Sequence, residues 1–336
     1  MHVGKRYTNI EVLFWTRRNI YKLTIISLVP VLLYDVCGLH WIALPWTVVA
    51  LLGTATAFIV GFRNSQTYNR TWEARQIWGG VVNSSRAFGI AARDFIQDPN
   101  KQRLLIYRHI AWMTALRYAM REPRGWETMS DPKNVEYQKK NFTVPERDQT
   151  LEQALSPHLS TDELRFILQT KNKATQLLAL QSKSIAEWTA NGEVSELRFI
   201  EYQRLLKDLY DVQGKSERIK NFPYPRQFAT VNGMLVQFFI YLLPFCMLRE
   251  FDRLKETLSP LAAEHVVWLV VPFSVLISWV FTSLDQIGES TENPFEGNAN
   301  DVPISQISRN IEIDLLEMIG HQPLPEPIAA RNSIVL

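Results

Sequence analysis

Residues 41–62 read WIALPWTVVALLGTATAFIVGF, 22 in a row without a charged side chain. A helix rising ~1.5 Å per residue needs about 20 such residues to cross ~30 Å of hydrocarbon. This stretch is therefore long enough to span a bilayer. Residues 228–248 (FATVNGMLVQFFIYLLPFCML) and 265–284 (HVVWLVVPFSVLISWVFTSL) repeat the pattern with 21 and 20 uncharged residues. A weaker fourth stretch, 23–39 (LTIISLVPVLLYDVCGL), is shorter, carries Asp35 and is interrupted by Pro30. One such block also suits a helix inside a large soluble core. Three in one chain predict a membrane protein, because soluble cores rarely need charge-free runs this long.

The averages conceal these blocks. The 336 residues are 46% hydrophobic and 21% charged, and the mean hydropathy is −0.10, values ordinary for a soluble protein. The 10 Trp, 11 Tyr and 17 Phe exclude a disordered chain. A net charge of +2 gives no support to a nucleic-acid partner. Cys37 and Cys246 are too few for a disulfide framework or a thiolate zinc site.

Charge at the flanks sets the expected orientation. Lys5, Arg6, Arg17, Arg18 and Lys22 precede the first block, which predicts a cytoplasmic start. Arg63, Arg70 and Arg75 follow the second block, and Lys215, Arg218, Lys220 and Arg226 precede the third. Four spans return the chain to its starting side, so both termini are expected in the cytoplasm of a multi-pass inner-membrane protein. The expected organisation has four segments: 1–62 with spans one and two, 63–227 as a helical cytoplasmic domain, 228–284 with spans three and four, and 285–336 packing back on that domain. Within 63–227, helical spacing recurs over 73–96, 103–120, 161–190 and 195–212. In the first of these the apolar positions are Ile77, Val81, Val82, Phe88, Ile90 and Phe95. Residues 121–150, rich in Pro and polar residues, read as a loop. No strand-like alternation persists, so the fold class is all-α.

Enzyme signatures are missing. There is no P-loop, H-E-x-x-H, G-x-S-x-G or G-x-G-x-x-G. The six histidines are scattered without ligand spacing and are expected at interfaces or on the surface. No catalytic residue, metal or cofactor is expected. A different feature stands out in the second block. Thr54, Phe58 and Phe62 recur every four residues on one stripe of a helix, among the small residues Gly53, Ala55, Ala57 and Gly61. Small residues allow close helix approach. Several copies around an axis would stack this stripe into apolar rings, a constriction able to gate by dewetting. The same spacing also suits a lipid-facing or packed helix.

Three segments resemble the bestrophin family of ion channels in its bacterial branch: GFRNSQTYNRTWEARQIWGGVVNSSR (61–86), GKSERIKNFPYPRQF (214–228), and DQIGESTENPFEGNANDVPISQISRNIEIDLLEMIGHQPLP (285–325). Their order and spacing fit across roughly residues 5–325. The resemblance implies a homopentamer around one central pore, in contact with membrane lipid and conducting monovalent ions. Chloride is the family default; a sodium or potassium channel of the same fold is the alternative. Anchored on the Gly-Phe-Arg-Asn run, the family's hydrophobic neck falls on Thr54, Phe58 and Phe62. Family members usually carry apolar residues at all three, so Thr54 departs, and its hydroxyl is expected to wet the outermost ring. Anchored on Pro225, the cytoplasmic aperture falls on Leu197. Animal members bind calcium through a run of aspartates after the Asn-Pro-Phe segment. The matching stretch here is Asn298, Ala299, Asn300, Asp301, which lacks that run. Helix capping and packing are expected there instead. A scaffold or sensor that passes no ions remains a reading from another class, and so does a membrane enzyme.

Overall fold

In the computed structural model, residues 1–336 are described, apart from the side chain of Lys133. The chain is all-α. Among the described residues thirteen α-helices follow in order: α1 (Asn9–Val31), α2 (Trp46–Phe95), α3 (Pro99–Arg121), α4 (Pro132–Asn141), α5 (Pro145–Asp148), α6 (Leu151–Leu155), α7 (Thr161–Gln169), α8 (Lys173–Ala190), α9 (Glu196–Asn221), α10 (Arg226–Arg253), α11 (Pro260–His265), α12 (Val270–Ser290) and α13 (Ile304–Met318). The chain gathers into two compact units. One comprises Lys5–Asn69 and Tyr224–Glu292; the other comprises Met1–Gly4, Arg70–Pro223 and Asn293–Leu336. Helix α2 is 50 residues long and runs without a break through residues 62 and 63.

The first unit holds the apolar bundle. Among the described residues, four segments are long and apolar enough to cross a membrane: Asn9–Val36, His40–Phe95, Arg226–Thr257 and Pro260–Ser290. Its core joins Leu23, Val31, Val49, Val60, Val236, Ile240, Leu243 and Val267. The first span starts well before residue 23. Thr8 and Glu11 form a reciprocal cap at Asn9, satisfying first-turn N–H groups that would otherwise lack partners. Pro30 does not end this helix. It removes one backbone donor, and the chain loosens one step later into a π-turn over Leu32–Val36. The Cys37 N–H donates to Leu32 O at 3.1 Å. The fourth span runs past residue 284 to Ser290, taking in Asp285, because that carboxylate has a cationic partner (below). Trp279 belongs to the bundle interior, donating from Nε1 to Thr16 Oγ1 at 3.0 Å.

The second unit is a helical domain around Trp78, Phe88, Trp112 and Tyr202, all fully buried. Burying one large apolar side chain contributes about 1.5–3 kcal/mol, so these residues dominate its stability. Trp112 Nε1 donates to Gln213 Oε1 at 2.9 Å, so the indole is buried without losing a hydrogen bond. Of the apolar positions anticipated in this half of α2, Ile77, Val81 and Phe88 are buried, Val82 and Phe95 partly so, while Ile90 is exposed. Two residues beyond Phe88, Ile90 lies ~200° around the helix and misses the buried stripe. The loop expected over 121–150 contains helices α4 and α5. Each begins with a proline, Pro132 and Pro145, where a fixed φ and a missing N–H favour a helix start.

His109 corrects the expectation that every histidine lies at a surface or interface. It sits on the buried face of α3, fully inaccessible, stacked on Phe88 at 4.9 Å between ring centroids. Among the described residues, neither ring nitrogen has a hydrogen-bond partner. Burial penalises the charged imidazole and pushes its pKa down to about 3. The unfolded chain takes up that proton near the ordinary value of about 6.5. Only the unfolded state therefore binds a proton between those values, and stability falls as pH drops through that window. His109→Leu should remove this contribution. Its melting temperature should fall less than the parent's between about pH 7 and about pH 5. Equal falls in both proteins would refute the assignment.

Candidate functional site

One side of the α2 span is packed and the other is not. Val49, Thr56, Val60, Arg63 and Thr67 are buried, at spacings of seven, four, three and four, which place them on one face. Gly53 allows α2 to approach α10, since a Cβ there would stand 2.8 Å from Phe239 Cε2. The opposite face carries Thr54, Phe58 and Phe62. Phe58 is 76% exposed, Phe62 is 50% exposed and Thr54 is exposed too. The Thr54 hydroxyl donates to Ala50 O at 2.9 Å, so its proton is held by its own helix.

The buried face ends on a charged node. Arg63 Nη1 donates to Asp285 Oδ1 at 2.6 Å, and its Nη2 donates to Glu292 Oε2 at 3.1 Å. Glu292 Oε1 also accepts from Arg226, and Asp285 Oδ1 also accepts from Asn232. The side chains of Arg63 and Glu292 are 8% and 3% exposed. The node ties α2 to α10, α12 and the turn after α12. At the same level, a Cβ on Gly288 would collide with Asn64 Oδ1. Thr291 Oγ1 donates to Thr67 Oγ1 at 3.0 Å. None of these partners was singled out from sequence as a set. Two signals were present: an arginine one residue after a charge-free run, and an aspartate one residue after another.

Leu197 is in the second unit, 81% exposed in the first turn of α9. Ser195 caps that turn, accepting from the Arg198 N–H at 3.4 Å. Arg198 Nη1 donates to Phe95 O at 3.2 Å, and the Tyr202 hydroxyl donates to Ala91 O at 2.8 Å. The start of α9 is thus pinned to the end of α2, with Leu197 facing outward.

The acidic residues after Pro294 are taken up by the protein itself. Glu296 accepts from the Thr128 N–H and hydroxyl, each at 2.9 Å. Asp301 accepts from the N–H groups of Gly297 and Asn298 at 2.7 and 3.0 Å. Gly297 reaches this turn with a φ of +95°, a conformation that costs glycine little. Burial raises both carboxyl pKa values, and the charge of Asp301 raises that of Glu296 further. Among the described residues, no group of three His, Cys, Asp or Glu side chains is arranged to hold a metal ion.

Residues 11–317 match the family model described as bacterial/fungal bestrophin protein. A voltage-dependent anion channel-forming protein of Escherichia coli K12, YneE, is 27% identical over 309 residues, covering 92% of this chain and 86% of the relative. A relative of the same description from Ralstonia nicotianae is 24% identical, covering 88% of this chain and 86% of its own length. A crystal structure of a bacterial bestrophin homolog from Klebsiella pneumoniae is 25% identical. It superposes with a TM-score of 0.71, over 90% of this chain and 98% of that one.

Removing Arg63 would leave two carboxylates without their shared cation. Arg63→Ala is expected to cost about 3 kcal/mol or more, the penalty of breaking a buried pair from one side. Arg226 is half exposed, and Glu292 would keep Arg63, so Arg226→Ala should cost less than about 1 kcal/mol. Thermal melts of the two purified variants test the ranking; equal losses would overturn it.

Proposed function

Because this chain belongs to the bacterial and fungal bestrophin family, we propose that it is a passive anion channel with chloride as the conducted ion. Its subunits assemble as a homopentamer around a central pore in the inner (plasma) membrane. The helical region at 63–227 is cytoplasmic, and the chain's partners are membrane lipid and monovalent ions. The named relatives form anion channels, which favours chloride over the sodium or potassium alternative.

One observation carries the reading. Of the most apolar 18-residue stretch of the α2 span only 11% is buried within the subunit, against 50% of the corresponding stretch in the span at Arg226–Thr257. An apolar helix left this bare needs further cover, and copies of itself around an axis supply it. In that assembly Thr54, Phe58 and Phe62 form the neck. The Phe ring edges carry partial positive charge, which suits a partly dehydrated anion. The engaged Thr54 hydroxyl supports a drier outermost ring than a free hydroxyl implies. Leu197, exposed on a firmly anchored helix start, forms the cytoplasmic aperture.

Purified protein in planar bilayers under a potassium chloride gradient tests the function. A reversal potential on the chloride side supports the proposal, the opposite sign supports the cation alternative, and absence of current supports a non-conducting scaffold. Phe58→Ala combined with Phe62→Ala should raise conductance or open probability several-fold; unchanged currents would remove the neck assignment. Leu197→Ala should change permeability ratios among anions more than open probability. Identical ratios would remove Leu197 from the aperture.

A further inference from the structure

The helical unit contains a cleft of about 900 Å³ that the channel reading does not use. Its size is in the range of small-molecule sites, far larger than a halide needs. Six cationic side chains line it, Arg121, Arg124, Arg147, Lys171, Lys173 and Lys220, against three acidic ones, Glu122, Glu146 and Glu217. The remaining wall is largely apolar, with Tyr118 and Met120 among its side chains.

The cations form two layers. Arg121 and Lys220 are almost fully buried. Lys220 is held by Glu127. Arg121 Nη1 donates to Phe295 O at 2.9 Å and stands 3.6 Å from Asp301, and Nε stands 3.6 Å from Glu146, while among the described residues neither Nε nor Nη2 has a hydrogen-bond acceptor. Arg147 Nη2 donates to Glu296 O at 2.9 Å. The outer layer is less committed. Among the described residues, Lys173 Nζ reaches only Thr170 O, at 3.1 Å, and Lys171 makes no hydrogen bond or ion pair. Helix α8 opens at this rim. Its cap, Asn172, accepts from the Thr175 N–H, so the first-turn N–H groups of Lys173 and Ala174 have no intrahelical partner. A cationic rim, free N–H groups at a helix start and a buried guanidinium with two nitrogens lacking hydrogen-bond acceptors together favour a multiply charged anion. Phosphate fits the forked guanidinium, and the apolar wall accommodates an organic body.

We propose that this cleft binds a soluble phosphorylated small molecule, its phosphoryl group on the cationic rim and its body against Tyr118 and Met120. The inference is independent of ion conduction and is tested without it. Full-length purified protein is titrated calorimetrically with pyrophosphate, orthophosphate and phenyl phosphate. Saturable binding is expected, with phenyl phosphate tighter than orthophosphate. Lys171→Ala combined with Lys173→Ala lies on the rim and should leave the melting temperature unchanged, yet weaken pyrophosphate about tenfold or more. No saturable binding, or equal affinity in parent and variant, would overturn the site. Equal affinity for orthophosphate and phenyl phosphate would overturn the role of the apolar wall. Binding of dioctanoyl phosphatidate without phenyl phosphate would overturn a soluble ligand in favour of a lipid.

Discussion

A guanidinium buried at the end of an apolar span has to be paired. Arg63 meets this demand with Asp285 on α12 and Glu292 just beyond it, and much else follows from that. Asp285 is tolerated inside the fourth span because its charge is answered. Glu292 is tolerated at 3% exposure because two arginines share it. Geometry reinforces the charge, since Gly53 and Gly288 admit neighbouring side chains where a Cβ would collide. Pairing here adds little net free energy beyond its desolvation cost, but leaving any member alone is expensive. The node therefore acts as a register lock, setting the rotation of α2 about its own axis.

That rotation determines what α2 shows to the outside. With Val49, Thr56, Val60 and Arg63 turned inward, Thr54, Phe58 and Phe62 are turned outward. A lipid-facing helix tolerates any such stripe. A pore-lining helix needs it at one azimuth, repeated identically in each copy, and a buried ion pair provides that fidelity better than apolar packing, which slides with small cost. Leu197, the proposed aperture residue, is held by a parallel device, since Arg198 and Tyr202 fasten the start of α9 to carbonyls near the end of α2 and Ser195 caps it.

Much of this was legible beforehand. The spans declared themselves because a bilayer demands length and lack of charge, two properties read directly from a chain. The stripe on α2 followed from helical periodicity alone. Span ends were less legible: Asp285 argued for a stop at 284, because its partner is 222 residues away in sequence. Pro30 likewise argued for a break that a π-turn absorbs. His109 could not be placed from its residue type, because burial depends on which side of α3 packs inward. The packing expected near Pro294 has one partner that spacing does not reveal: Glu296 accepts from Thr128, 168 residues away, while Asp301 accepts locally from Gly297 and Asn298.

The sequence by itself determined the all-α class, four apolar spans, the stripe at Thr54, Phe58 and Phe62, and the family. Each rests on local periodicity or on the order of short motifs. Only the tertiary structure decided which face of α2 is covered, that Arg63 joins Asp285 and Glu292, that His109 is sealed in the core, and that six cations from separate stretches of the chain line one cleft. These depend on side chains far apart in the chain meeting in space, where desolvation makes a charge either paired or costly, and no local pattern encodes that meeting.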